Sequence, residues 1–170
     1  MTKKLIAHIK EVATGSKDYV YQYTDGSMFY VTDGSRAVRY KDEIKEFPEI
    51  SVNAHAGNTI NLLKRKIDES INTVMYQLPT KDEIRSNITN LAGRSYSTKV
   101  AYGNDKFTVN ARYLLKAMDA INASVCYIYE HHSNQNGIYL YNNDDPQSDI
   151  VEIIMPRKLI NSHDSEFWIV

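Results

Sequence analysis

Only a few residues of this chain have types and spacing that could support chemistry. Two Thr-Asp-Gly triplets, at residues 24–26 and 32–34, place two carboxylates eight residues apart, a pattern that suggests a metal site. Asp-Gly turns at the two ends of one strand explain both triplets more economically. His131 and His132 are adjacent at a predicted strand end, so their side chains point in opposite directions and make poor metal ligands. Residues 144–146, Asp-Asp-Pro, are better interpreted as a turn than as an acid pair that could support chemistry.

The motifs of common active sites are missing from the sequence. It contains no G-x-S-x-G, no glycine-rich phosphate loop, no H-E-x-x-H and no C-x-x-C. The single cysteine, Cys126, excludes an internal disulfide and a cysteine metal cage, and it fits a reducing cytoplasm. No apolar run approaches the roughly 18 residues of a membrane span. We therefore expect a cytoplasmic, non-catalytic protein with no cofactor, no metal and no membrane contact.

The charge pattern limits where a nucleic acid could bind. The net charge is −1, so the composition gives no global attraction to nucleic acid. Residues 117–156 contain no Lys or Arg, although six carboxylates lie there: Asp119, Glu130, Asp144, Asp145, Asp149 and Glu152. Any contact with nucleic acid has to come from elsewhere in the chain.

The elements that must position a site form a repeated unit. Residues 110–121 are predicted to form an amphipathic helix, because Leu114, Met118 and Ile121 follow helical spacing. The runs V-C-Y-I-Y and I-Y-L-Y then alternate with period two around a turn that carries Gly137, which predicts a β-hairpin. A third apolar run ends at Pro156, which cannot donate to a sheet ladder. This unit is α-β-β-β.

The front of the chain repeats the same order. The helix L-I-A-H-I-K-E-V at residues 5–12 is followed by Y-V-Y-Q-Y, a turn and M-F-Y-V. Two such halves can place two helices on one face of a merged antiparallel sheet. We therefore predict an α+β fold in one domain, residues 1–170, long enough to bury a substantial core. The first repeat is placed at 1–44 and the second at 99–159.

Residues 45–98 separate the halves and are predicted to be largely helical. A helix over residues 60–74 has an outer face of mixed charge, which favours a solvated surface over a nucleic-acid stripe. Thr80 and Glu83 form a capping box that opens a second helix. The tail, residues 160–170, ends on an apolar group that either packs on the body or is held out for a protein partner: Phe167, Trp168, Ile169 and Val170.

Two motifs resemble the sliding clamp (beta subunit) family of bacterial DNA polymerase III. The second repeat, F-T-V-N-A-R-Y-L-L-K-A-M-D-A-I through I-I-M-P-R-K-L, is similar to the end of the clamp, where a phenylalanine-asparagine-tyrosine-leucine helix start precedes strands and a terminal M-P-x-R-L. In the first repeat, V-T-D-G-S-R-A resembles the clamp's A-T-D-G-H-R-L. The resemblance covers both repeats but neither the insertion nor the tail. This chain has one domain where the clamp subunit has three, and this reduced size suggests a phage-like member of the family.

The resemblance implies the processivity fold and a peptide-binding groove. In the family, six domains close a ring with helices facing DNA and sheets outside. The groove positions carried over to this sequence are Thr32, Gly34, Arg36, Ala37, Ile154, Met155, Pro156 and Arg157. In the clamp the two groove segments belong to neighbouring domains, so here a groove needs either two copies or a changed arrangement. A strand-end turn and a strand terminator explain the same residues without a groove.

Contact with duplex DNA, if it occurs, is expected through phosphates on the outer faces of the helices, since a ring must slide. The candidate residues are Lys3, Lys4, Lys10, Arg112 and Lys116. The first functional hypothesis is a homo-oligomeric DNA-binding accessory factor of replication, of phage or mobile-element type. The alternative is a clamp-fold module that binds a protein, such as a host replication protein, without DNA.

Overall fold

The computed structural model describes residues 1–15, 21–24, 26–45, 47, 61, 64–65, 75–92, 101–103, 107–130 and 136–156. The helices are α1 (Lys3–Thr14), α2 (Lys81–Ala92) and α3 (Ala111–Ile121). The strands are β1 (Tyr21–Thr24), β2 (Phe29–Thr32), β3 (Arg36–Tyr40), β4 (Met75–Gln77), β5 (Ala101–Gly103), β6 (Thr108–Asn110), β7 (Val125–Glu130), β8 (Asn136–Tyr141) and β9 (Val151–Ile154). The predicted α+β class is confirmed.

Seven of the strands form one antiparallel sheet in the order β1-β2-β3-β9-β8-β7-β4, and β5 pairs with β6 in a separate ribbon. Each half of the chain contributes a helix followed by a three-stranded meander. The halves meet at the centre of the sheet, where β3 pairs with β9 in a register that sets Val38 opposite Glu152. The strand order outward from this seam is the same on both sides.

The two repeated helices start and bury residues in corresponding ways. The side chain of Thr2 caps α1 by accepting a hydrogen bond from the Leu5 amide at 3.2 Å, and Asn110 caps α3 by accepting from the amides of Arg112 and Tyr113. Matched positions of the two helices are buried: Leu5, His8, Ile9 and Val12 in α1, and Leu114, Ala117, Met118 and Ile121 in α3. Only one match pairs a polar residue with an apolar one, His8 with Ala117.

The core lies between the helices and one face of the sheet. Alternation along β8 turns Ile138 and Leu140 toward the helices and places Tyr139 and Tyr141 on the opposite face. That opposite face carries a buried tyrosine cluster, and the ammonium of Lys64 lies 5.3 Å from the ring centre of Tyr30 in it. Part of the segment between the halves therefore packs against this second face.

The segment between the halves differs in part from its largely helical prediction. The capping box is confirmed, because Thr80 N donates to Glu83 Oε2 at 2.8 Å and Glu83 N donates to Thr80 Oγ1 at 3.3 Å. Met75–Gln77, however, form the edge strand β4 against β7. Three residues are too few to show an alternating pattern, so only pairing with β7 defines this strand. Most of the helix predicted over 60–74 lies outside the described residues.

Gly137 lies in a strand and not in the predicted turn. It sits in β8 opposite Tyr129 of β7. A Cβ atom at this position would be 2.2 Å from the Tyr129 hydroxyl, because the tyrosine side chain covers the glycine. The glycine is therefore explained by close packing across the hairpin, which local sequence does not reveal.

Candidate nucleic-acid interface

Helices α1 and α3 lie side by side on the sheet and run antiparallel. Lys4, near the start of α1, has its ammonium 3.9 Å from Asp119 Oδ1, near the end of α3. Lys116 Nζ donates to Glu11 Oε1, near the end of α1, at 2.7 Å. Helix α2 packs against α3 as well. We call the solvent-facing surface of these three helices the helical layer.

All five residues that the sequence suggested for DNA contact belong to the helical layer. Lys3, Lys4, Arg112 and Lys116 are exposed and Lys10 is half-buried. Sequence reasoning missed two further cations, Lys81 and Arg85 of α2, although their spacing of four after a capping box placed them on one helical face. The three helices contain seven Lys or Arg and four Asp or Glu, a net charge of +3, although the chain as a whole has −1.

Asp119 gathers cations from all three helices. Its carboxylate accepts from Lys81 Nζ at 3.0 Å and from Arg85 Nη2 at 2.9 Å, with Lys4 Nζ at 3.9 Å. Partial burial acts to raise the pKa of Asp119, but the hydrogen bond from Lys81 and the surrounding positive charges outweigh it and lower this pKa. The carboxylate is therefore ionised at neutral pH and holds the three helices together at one point.

Glu11 is the second junction of the helical layer, and it is linked to the interior. It accepts from Lys116 on the surface and from Arg36 Nη2 at 2.8 Å below it. Partial burial acts to raise the pKa of Glu11, but the bonds from Lys116 and Arg36 lower it overall. Arg36 also donates to Asp33 at 2.9 Å and lies 4.4 Å over the Tyr113 ring. Charged contacts thus run from the helical layer to the β2–β3 turn.

The two candidate groove segments lie next to each other in the sheet. Thr32 Oγ1 accepts from the Gly34 amide and donates to the Arg36 carbonyl, while Gly34 adopts φ 84°. The Met155 amide donates to the Ser35 carbonyl at 2.8 Å, directly beyond the β3–β9 ladder. The sequence required either two copies or a changed arrangement for a groove, and one chain here brings both segments together.

Half of the groove candidates are nevertheless occupied by internal contacts. The side chains of Thr32, Arg36, Ala37 and Ile154 are buried, so they serve the turn and the core. Gly34 is exposed, and Met155 and Pro156 are half-buried. Arg157 and the tail residues Phe167, Trp168, Ile169 and Val170 lie outside the described residues.

A buried polar group at the seam of the halves was not foreseen from the sequence. His8 Nε2 lies 2.6 Å from Glu152 Oε2, and both side chains are buried. Burial acts to lower the pKa of Arg36, but the nearby charge of Glu152 and the bonds to Glu11 and Asp33 raise it. The available signal was the histidine at a buried helical position where the second repeat has Ala117.

Other chemistry is sparse in the part of the chain that the structure describes. It contains no group of three or more His, Cys, Asp or Glu side chains that could hold a metal ion, and no helix long and apolar enough to cross a membrane. Burial raises the pKa of the Cys126 thiol to about 12, so it is unreactive at neutral pH.

Comparisons with known proteins give no family assignment. No family model matches this chain, and no curated protein is significantly similar to it.

Proposed function

We propose that this protein is a non-catalytic, sliding-clamp-like DNA-binding factor that accompanies replication, of phage or mobile-element type. It contacts the phosphates of duplex DNA through the helical layer. The observation that carries the proposal is the exposure of Lys3, Lys4, Arg112 and Lys116 on adjacent helices whose combined charge is positive while the whole chain is slightly negative.

The architecture supports this function through the resemblance to the sliding clamps. Two corresponding helix-and-meander halves, with both helices on one face of a continuous sheet, are what the duplicated clamp unit implies. In such a unit the sheet supplies a rigid support and the helices face the nucleic acid. Contacts limited to phosphates give binding that does not depend on base sequence, which a protein that slides requires.

The test is duplex DNA binding by variants with reversed charge, measured by fluorescence anisotropy between 50 and 200 mM salt. Lys4→Glu combined with Lys116→Glu is expected to weaken binding at low salt by about tenfold or more and to reduce the salt dependence. Arg112→Glu tests the same surface without breaking an ion pair, because the described residues offer its side chain none.

The matched control is Lys41→Glu, which reverses the charge of an exposed lysine. The ammonium of Lys41 lies 3.6 Å from the carboxylate of Asp149, a residue that precedes β9. Its affinity is expected to stay close to that of the wild type. The proposal is wrong if the wild type does not bind duplex DNA at low salt, or if the helical variants bind as well as the Lys41 variant.

A second candidate function is supported by the neighbouring groove segments. Exposed Gly34 and half-buried Met155 and Pro156 lie together beside the β2–β3 turn, where an apolar peptide side chain has accessible contacts. In this alternative the protein is an interaction module for a replication protein. Met155→Ala is then expected to reduce binding of a purified replication protein while leaving DNA binding unchanged, and equal binding by both forms argues against the module.

A further inference from the structure

We infer that the cation group around Asp119 is a binding position for a phosphodiester of the DNA backbone, and that the Asp119 carboxylate competes with that phosphate for Lys4, Lys81 and Arg85. This inference rests on the proposed function and deepens it. It adds α2 to the DNA-contacting surface. It also assigns Asp119 the role of limiting the affinity for DNA, because its carboxylate competes with the phosphate for these cations.

The geometry is that of three helices converging on one anion. Lys4 comes from α1, Lys81 and Arg85 come from α2, and their nitrogens lie 3.9, 3.0 and 2.9 Å from the carboxylate oxygens of α3. A phosphodiester also presents two charged oxygens, and Arg and Lys bind phosphate and carboxylate with similar hydrogen-bond geometry. The cations are therefore arranged for an anion of this kind.

Exposure shows that the cations can reach an external ligand. The side chains of Lys4, Lys81 and Arg85 are 64%, 37% and 50% exposed, whereas that of Asp119 is 29% exposed. The carboxylate thus lies deeper than the cations that surround it. Long side chains can turn outward to a phosphate while keeping their stems on the helices.

The local charge also favours an added anion. Three cations contact Asp119, and one of them, Arg85, also contacts Asp82, which is 91% exposed. These five side chains together carry one positive charge in excess. Glu11, the other junction, differs because buried Arg36 holds it from below. Asp119 has no such partner from the sheet among the described residues.

The decisive variant is Asp119→Asn, which keeps an oxygen acceptor but removes the charge. Removing a negative charge next to a bound phosphate is expected to tighten duplex binding about three- to tenfold at 50 mM salt. The salt dependence becomes steeper by up to about one unit of slope if one more phosphate is engaged. Lys81→Gln combined with Arg85→Gln is expected to weaken binding and to lower that slope.

Asp149→Asn is the matched control. It also removes one carboxylate that is paired with a lysine and raises the net charge by one, but it belongs to the segment before β9 and to none of the three helices. Thermal melting of each variant shows that it is folded before binding is compared. Tightening by Asp119→Asn well beyond that of Asp149→Asn supports the inference.

Several results would overturn it while leaving the proposed function in place. In each of them the wild type binds duplex DNA and Lys116→Glu weakens that binding. The inference is then wrong if the Asp119→Asn variant binds no better than the Asp149→Asn variant. It is also wrong if the Lys81/Arg85 variant binds like the wild type. Absence of duplex binding by every form overturns both proposals. A parallel titration with inorganic phosphate separates the sources: stabilisation by phosphate without duplex binding overturns the assignment to DNA.

Discussion

The carboxylate of Glu152 is a buried polar group at the seam between the two halves. It is fully buried in the central strand β9, and its hydrogen bond comes from His8 of the other half at 2.6 Å. A buried carboxylate without a partner destabilises a protein by several kcal/mol. Among the contacts that pair the two halves, this buried one therefore depends on one residue from each half.

This contact gives a prediction at the scale of one residue. His8→Ala removes the partner of a buried carboxylate and is expected to lower the free energy of unfolding by about 3 kcal/mol. Chemical denaturation measures the change. Lys3→Ala, an exposed change in the same helix, is expected to stay within about 0.5 kcal/mol of the wild type.

A second substitution separates lost charge pairing from lost packing. Adding Glu152→Gln to His8→Ala removes the buried charge, so part of the lost stability is expected to return. Glu152→Gln is therefore also measured in the wild-type background. If it lowers the free energy of unfolding by the same amount in both backgrounds, the two residues are not coupled.

At the scale of elements, the hairpin β7–β8 depends on the fit of one ring over one glycine. Tyr129 is buried and its side chain occupies the space that a Cβ of Gly137 would need. The tyrosine hydroxyl also donates to Met155 Sδ at 3.2 Å, so the ring is fixed at its far end. The ring cannot move aside without losing that contact and its packing.

Gly137→Ala is therefore expected to destabilise the protein by about 1–3 kcal/mol, because a well-packed ring must shift. Thermal or chemical denaturation checks the value. The same substitution in a Tyr129→Ala background is expected to have little effect, since the ring is then absent. An equal loss in both backgrounds would assign the cost to the backbone of β8 instead.

At the scale of the whole molecule, the proposed clamp-like function requires more than one copy. A single helical layer offers one positive surface, and only a closed assembly turns such surfaces into a channel. The resemblance to the sliding clamps implies about six such domains in a ring. The sheet ends in β1 on one side and β4 on the other.

Light scattering with and without duplex DNA tests this requirement. The proposed function predicts a closed assembly of about six copies, either alone or on DNA. A monomer or dimer whose mass DNA leaves unchanged contradicts the ring. It would also favour the interaction module beside the β2–β3 turn.

Local patterns in the sequence determined much of the fold. The two repeated helices, the capping box at Thr80 and the hairpin could be predicted because spacing, caps and alternation involve residues close in the chain. The same reasoning found the exposed lysines of α1 and α3, since the polar face of an amphipathic helix follows from its period. The direction of each side chain around a helix follows from its position in the sequence, so the sequence alone predicts which side chains share a face.

Tertiary structure alone decided which distant residues meet. Strand β4 against β7 and the pair His8–Glu152 join segments far apart in the chain, and the ring of Tyr129 covers Gly137 only once the β7–β8 hairpin has formed. The gathering of Lys4, Lys81 and Arg85 at Asp119 likewise needs three helices to pack in one order. Periodicity reports which face of an element is buried but not which element covers it, so these contacts follow only from the packed fold.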